Sequence, residues 1–203
     1  MKKEIYQNPF FKANPVTVLV LGICSSLAVT VKLEPACVMA LSVTFVTGFS
    51  SLFASLLRNT IPNRIRIIVQ LVLVSLFVIL IDQFLKAYAY DVSKQLSVYV
   101  GLIITNCIIM GRIEAFALGN KPWPSFVDGI ANGLGYGMIL VALAFIRELL
   151  GSGTLFGHQI IPAGWYEAGY MNNGLIILPP MALILVGLFI WLQRGIQKDL
   201  IEK

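Results

Sequence analysis

Six long, largely apolar stretches without a charged residue dictate what this chain can fold into. They are Ala13–Val31, Pro35–Leu57, Ile67–Ile81, Gln95–Gly111, Gly129–Ile146 and Ala168–Gln193. Their lengths are 19, 23, 15, 17, 18 and 26 residues. A helix crossing the hydrocarbon core needs about 20 apolar residues, with a lower bound near 17, so five runs qualify as they stand. Only 12% of the residues are charged, about half the share in an ordinary soluble domain, too few for a polar coat. The runs are continuous rather than alternating, which favours helices over a barrel. The expectation is an all-α integral membrane protein with six transmembrane helices, not a soluble enzyme.

The third run is long enough only if its helix continues through Asp82 and Lys86 towards Tyr88 and Tyr90. Those two charges stand four residues apart, share one face and are expected to pair. With six spans, one side of the membrane receives Lys2, Lys3, Lys12, Arg58, Arg64, Arg66, Arg112, Lys121, Arg194, Lys198 and Lys203. The other receives Lys32, Lys86, Lys94 and Arg147. The excess of basic residues marks the cytoplasmic side, so both termini are expected there. The net charge of +5 is thereby explained as topology, and no nucleic-acid partner is inferred from it. The basic start, Met1 to Tyr6, is not followed by a short apolar core and a small-residue cleavage site. The first run therefore reads as a permanent span.

Three spans per half reverse the orientation of the second half, the arrangement of inverted repeats in transport folds. The halves would be about 1–92 and 93–203, forming a single membrane domain. Each opens on a less uniformly apolar span that contains a cysteine, Cys24 in the first and Cys107 in the fourth. Broken or half helices are expected at these two spans. Gly133, Gly135 and Gly137 in the fifth span read as a close-packing surface; a phosphate-binding loop would need a preceding strand. The Gly-rich loop from Gly151 to Asn173 holds the one histidine, His158, which reads as solvated rather than metal-bound.

Cys24 lies two residues past the middle of its run and Cys107 four past the middle of its own. Because the runs point in opposite directions, the two sulfurs would sit roughly 9 Å apart along the membrane normal. Breaks at Gly22 or Asn106 would close that gap, which makes the pair candidates for one site near the membrane centre. Cysteine in a span is otherwise a small apolar packing residue, and a Cys24–Cys107 disulfide is a further reading. A zinc ion or a 2Fe–2S cluster takes four ligands, so this pair would supply half a set and another chain the rest. Cys37, at the start of the second span, reads as structural. Asp82 and Asp128 are possible ion-path acids, since ionisable residues in spans are costly and often functional. Asp128 also suits the first turn of a helix. Arg147 and Glu148 read as a helix end.

Five segments are similar to a known family. They are Leu21 to Thr30 (LGICSSLAVT), Ile61 to Gln70 (IPNRIRIIVQ), Asp82 to Tyr88 (DQFLKAY), Gly101 to Arg112 (GLIITNCIIMGR) and Asp128 to Gly137 (DGIANGLGYG). Over roughly residues 14 to 193 the chain resembles the D-type membrane subunits of bacterial Na⁺-translocating NADH:quinone oxidoreductases. The E-type subunit of the Rnf ferredoxin:NAD oxidoreductase shares the two cysteine motifs, and the segment from Lys86 to Ser97 favours the quinone-reductase branch. The resemblance implies six helices in two inverted repeats, in the bacterial inner (plasma) membrane. It implies that Cys24 and Cys107 are metal ligands, sharing a 2Fe–2S cluster with two cysteines of an E-type partner of opposite orientation. It further implies A-, B-, C-, E- and F-type partner subunits, with the flavins, NADH and quinone bound on those others. The chain would act as an electron relay within a Na⁺-exporting translocase and hold no catalytic residue itself. The alternatives are an Rnf-complex counterpart, a stand-alone inverted-repeat ion transporter using Asp82 or Asp128, and an inert scaffold.

Overall fold

The computed structural model describes residues 15–62, 64–88, 99–155, 158–159 and 174–196. The basic N-terminal segment, Tyr90, Lys94, the C-terminal lysines and most of the Gly-rich loop lie outside these residues. So does the boundary between the expected halves.

Helix α1 is Ile23–Val29 and α2 is Leu33–Leu57. Next come α3, Arg66–Tyr88, then two short helices, α4 (Val100–Ile104) and α5 (Cys107–Arg112). A π-helical turn, Ile113–Ala117, leads to α6, Pro122–Gly151. A 3₁₀ turn, Gly174–Ile177, precedes α7, Pro179–Ile196. The expectation of an all-α chain needs one small amendment: Thr154–Leu155 pairs antiparallel with His158–Gln159 as a minimal hairpin. Among the described residues, α2, α3 and α6 are long and apolar enough to cross a membrane, and α7 is a shorter apolar helix.

The first and fourth runs are not continuous helices. The first is irregular from Pro15 to Gly22, with Val20 and Gly22 both at positive φ (58° and 81°), before α1 begins. In the fourth, Thr105 and Asn106 separate α4 from α5, and Asn106 is extended (ψ 121°). Helix α3 does continue through Asp82 to Tyr88, and Lys86 Nζ donates to Asp82 Oδ2 at 2.6 Å, as the four-residue spacing predicts.

Helices α2 and α6 form the spine. A Cβ added to Gly133 would meet the Thr44 Cα at 2.6 Å, and one on Gly129 would meet Gly48 Cα at 2.9 Å. One on Gly137 would meet Ala40 Cβ at 3.0 Å. Position numbers rise along one helix as they fall along the other, so the pair is antiparallel. Lipid tails are as apolar as leucine, so association in a membrane depends on close packing of small residues. Two of the three glycines expected to pack, Gly133 and Gly137, lie at this seam. Gly129 joins them at four-residue spacing. Phe49 and Phe53 of α2 stack against Phe77 of α3, with centroids 6.0 and 5.3 Å apart. Helix α7 packs on α1, while α3 packs on α4. The outer faces of α3 and α7 remain exposed, with Ile68, Val72, Leu183 and Trp191 on them.

Charged residues close both ends of the spine. Arg147 is buried, and α6 runs past it to Gly151. It and Glu148 therefore do not end the helix. The Arg147 Nη2 donates to Ile177 O at 2.6 Å and Nε to Ile176 O at 3.2 Å. Its Nη1 reaches Thr30 Oγ1 and, at 3.4 Å, Leu27 O. Glu148 Oε2 accepts the Leu33 N–H at 2.5 Å, capping α2 from a distant helix. Short and broken elements leave carbonyls and N–H groups without intrahelical partners, and these two side chains satisfy them where water is scarce. At the opposite end, Arg112 makes a forked pair with Asp128, at 2.5 to 2.9 Å. Asp128 is thus inside α6 rather than at its start, which is Pro122.

Candidate functional site

The two breaks meet. Gly22 is packed so closely that an added Cβ would lie 2.8 Å from Ile108 Cδ1 and 3.1 Å from the Tyr136 ring. One on Gly111 would lie 3.0 Å from Leu21 Cδ1. Glycine suits position 22 on both counts, since its positive φ and its lack of Cβ are used together. Cys24 is the second residue of α1 and Cys107 the first of α5. Their thiols lie close enough to influence one another electrostatically. Neither cysteine is in a disulfide, and both are exposed on the surface of the chain.

Behind the thiols the site is polar and buried. Tyr136 Oη donates to Ser25 Oγ at 2.7 Å, and Asn106 Nδ2 donates to the same oxygen at 3.4 Å. Ser25 and Ser26 hydroxyls both donate to the Gly22 carbonyl, at 2.9 and 3.0 Å. Asn106 Oδ1 accepts the Ile108 N–H at 3.2 Å, capping α5. Tyr136 stands fourteen residues from Pro122 and fifteen from Gly151, about 21 to 23 Å from either end of α6. The site therefore lies at the middle of the spine.

Chemically, the arrangement offers two thiols side by side, each opening a half helix. Such positions leave backbone N–H groups unpaired and favour negative charge. Among the described residues, no group of three or more His, Cys, Asp or Glu is gathered to hold a metal. Two thiols are half the number of donors that a tetrahedral thiolate site takes, and both residues are exposed on the chain's surface.

Cys37 does not join the pair. It lines an apolar groove of about 520 Å³ between α2 and α6, beside Ala40, Thr44, Gly137 and Met138. Asp82 is held by Lys86 and Asp128 by Arg112, so each possible ion-path acid already has a cation. Sequence reasoning singled out neither Ser25 nor Tyr136, and took Asn106 only as a point where the span could break. The signal was present in the polar residues flanking each cysteine within otherwise apolar runs. Tyr136 was hidden among the glycines of the seam.

A profile of the family described as "Rnf-Nqr subunit, membrane protein" matches residues 2–190. Proteins named as the D-type subunit of Na(+)-translocating NADH-quinone reductase are similar along the whole chain. The one from Photobacterium profundum is 56% identical over 206 residues, covering 100% of this chain and 96% of its own. Its namesake in Pseudomonas paraeruginosa is 55% identical over 204 residues, covering 98% and 90%. In Yersinia pestis the corresponding protein is 55% identical over 201 residues, covering 99% and 96%.

Proposed function

Because the chain belongs to the Rnf-Nqr family of membrane-protein subunits, we propose that it is the membrane electron-relay subunit of a Na⁺-translocating NADH:quinone reductase. In this reading Cys24 and Cys107 hold one side of an intramembrane 2Fe–2S cluster, and an E-type partner supplies the other two cysteines. The observation that carries it is the meeting of two thiols from two separate breaks on an exposed face. A packing cysteine has no need of a thiol neighbour or of an open side. Four thiolates complete such a cluster, and a chain offering two leaves room for a partner of the same kind.

When bound, the cluster supplies a one-electron carrier part-way across about 30 Å of hydrocarbon. This chain's own residues present the two thiols, and Ile108 and the Tyr136 ring pack against Gly22 beside them. The half-helix starts offset negative charge with N–H groups. Flavins, NADH and quinone belong to the A-, B-, C- and F-type partners in this reading, and Na⁺ export to the complex as a whole. Asp82 and Asp128 are left out of the ion path because each is paired.

The same reading takes the chain as two inverted three-helix halves, about 1–92 and 93–203, in a bacterial inner membrane with both termini cytoplasmic. It is supported by the antiparallel α2–α6 spine and by the exchange of outer helices. The last helix of each half, α3 or α7, packs on the broken element of the other.

The test is iron content and visible absorption of this chain co-purified anaerobically with its E-type partner, beside a Cys24→Ala, Cys107→Ala variant. The expected result is about two irons per pair, lost in the variant. An intact complex without iron in either sample overturns the reading in favour of a transporter or a scaffold.

A further inference from the structure

Among the described residues, Ser25 Oγ is the atom that ties both breaks to the spine. It accepts from Tyr136 and from Asn106 and donates to Gly22 O. All three side chains are fully buried. Two of them are chain neighbours of the thiols: Ser25 follows Cys24, and Asn106 precedes Cys107.

A buried polar group is costly unless its hydrogen bonds are made. A satisfied network in an apolar surround therefore specifies one arrangement where apolar side chains would accept several. The details separate bracing from simple satisfaction. Gly22 O would keep a partner without Ser25, because Ser26 Oγ donates to it as well. Tyr136 and Asn106, by contrast, converge on the Ser25 hydroxyl from two other parts of the chain. Its particular contribution is to join the first break to the second and both to mid-α6.

We propose that Tyr136, Ser25 and Asn106 form a positioning brace that sets the separation and orientation of the Cys24 and Cys107 thiols. The proposal rests on the electron-relay reading for its purpose, but the brace acts on the thiols with or without iron. Tyr136 is the residue to change first, since Tyr136→Phe removes one hydroxyl and keeps the ring against Gly22. Ser25→Ala removes the crossing point itself, and Ser25→Thr restores a hydroxyl there.

The experiment uses the complete complex carrying Tyr136→Phe, Ser25→Ala or Ser25→Thr, with Ser75→Ala on α3 as a control. Two readouts are taken. One is the electron paramagnetic resonance spectrum and midpoint potential of the cluster in the intact, anaerobic complex. The other, after iron is removed with a chelator, is the rate at which a mild oxidant joins Cys24 to Cys107, scored by mass spectrometry. Tyr136→Phe and Ser25→Ala are expected to retain iron, to alter the spectrum and potential, and to slow the joining about fivefold, the weight of one buried hydrogen bond. Ser25→Thr is expected to recover at least half of the loss.

Unchanged spectrum and unchanged joining rate in assembled Tyr136→Phe and Ser25→Ala overturn the brace. Failure of Tyr136→Phe to assemble also counts against it, because that outcome marks the hydroxyl as structural support for the whole chain. If the unmodified complex has no iron while the variants still slow the joining, the relay reading falls and the brace stands.

Discussion

At the residue scale, the buried charges are explained by what they touch. Arg112 and Asp128 are mostly buried, with side chains 17% and 8% exposed, and Asn132 Nδ2 donates to both the side chain and the carbonyl of Asp128. Removing one partner of such a pair strands the other in low dielectric, at a cost of about 3 to 5 kcal/mol. Asp128→Leu is therefore expected to lower the thermal midpoint of the purified complex sharply, and Arg112→Leu likewise. The double variant Arg112→Leu, Asp128→Leu is expected to lose much less than the sum, because contacting residues couple. Additive losses would mean that the carboxylate serves something other than the arginine. The spacing of Asp82 and Lys86 made their pairing legible in the sequence. Nothing local announced Arg112–Asp128, whose sixteen-residue separation is closed by the turn between α5 and α6.

At the element scale, the structure divides helices into those that pack and those that stop. The α2–α6 seam depends on glycine at four-residue spacing, and there the backbones approach too closely for a side chain. Gly133→Val is expected to separate the two helices and leave little assembled protein, since even modest overpacking costs about 1 to 3 kcal/mol and here the clash is with backbone. Gly187→Ala on α7, where an added Cβ meets nothing within 4 Å, is expected to be neutral. Size-exclusion profiles in detergent compare the two directly, and equal profiles would remove the seam from the account. Elements that stop owe their ends to residues elsewhere. α2 begins where Glu148 receives its first N–H, and α1 ends where Arg147 gathers Leu27 O and Thr30 Oγ1.

For the whole molecule, the polar clusters at the two ends of the spine carry opposite expectations about the membrane. The loops beside Arg58, Arg64, Arg66 and Lys121 are basic, whereas the end holding Lys32 and Arg147 is sparsely so. Reporter fusions within residues 58–65 are therefore expected to read as cytoplasmic, and fusions after Ser152 as external. The reverse pattern would invert the proposed orientation and, with it, the direction of any electron path past Cys24 and Cys107. The exposed outer faces of α3 and α7 accord with a chain that sits among lipids and other subunits.

What the sequence determined by itself was the medium, and through it the class of structure. Long uncharged runs leave helices as the solution that satisfies the backbone in lipid. The same reading placed two cysteines roughly 9 Å apart along the membrane normal and named Gly22 or Asn106 as points where a break would close that gap. Local composition was enough for these features because each depends on residues close in the chain. Tertiary structure alone decided that the breaks meet, that the thiols share one exposed face, and that Ser25, Asn106 and Tyr136 converge behind them. Those outcomes depend on partners 81 and 111 residues apart in the chain. No pattern along the chain records a hydrogen bond whose two ends are brought together only by the packed fold.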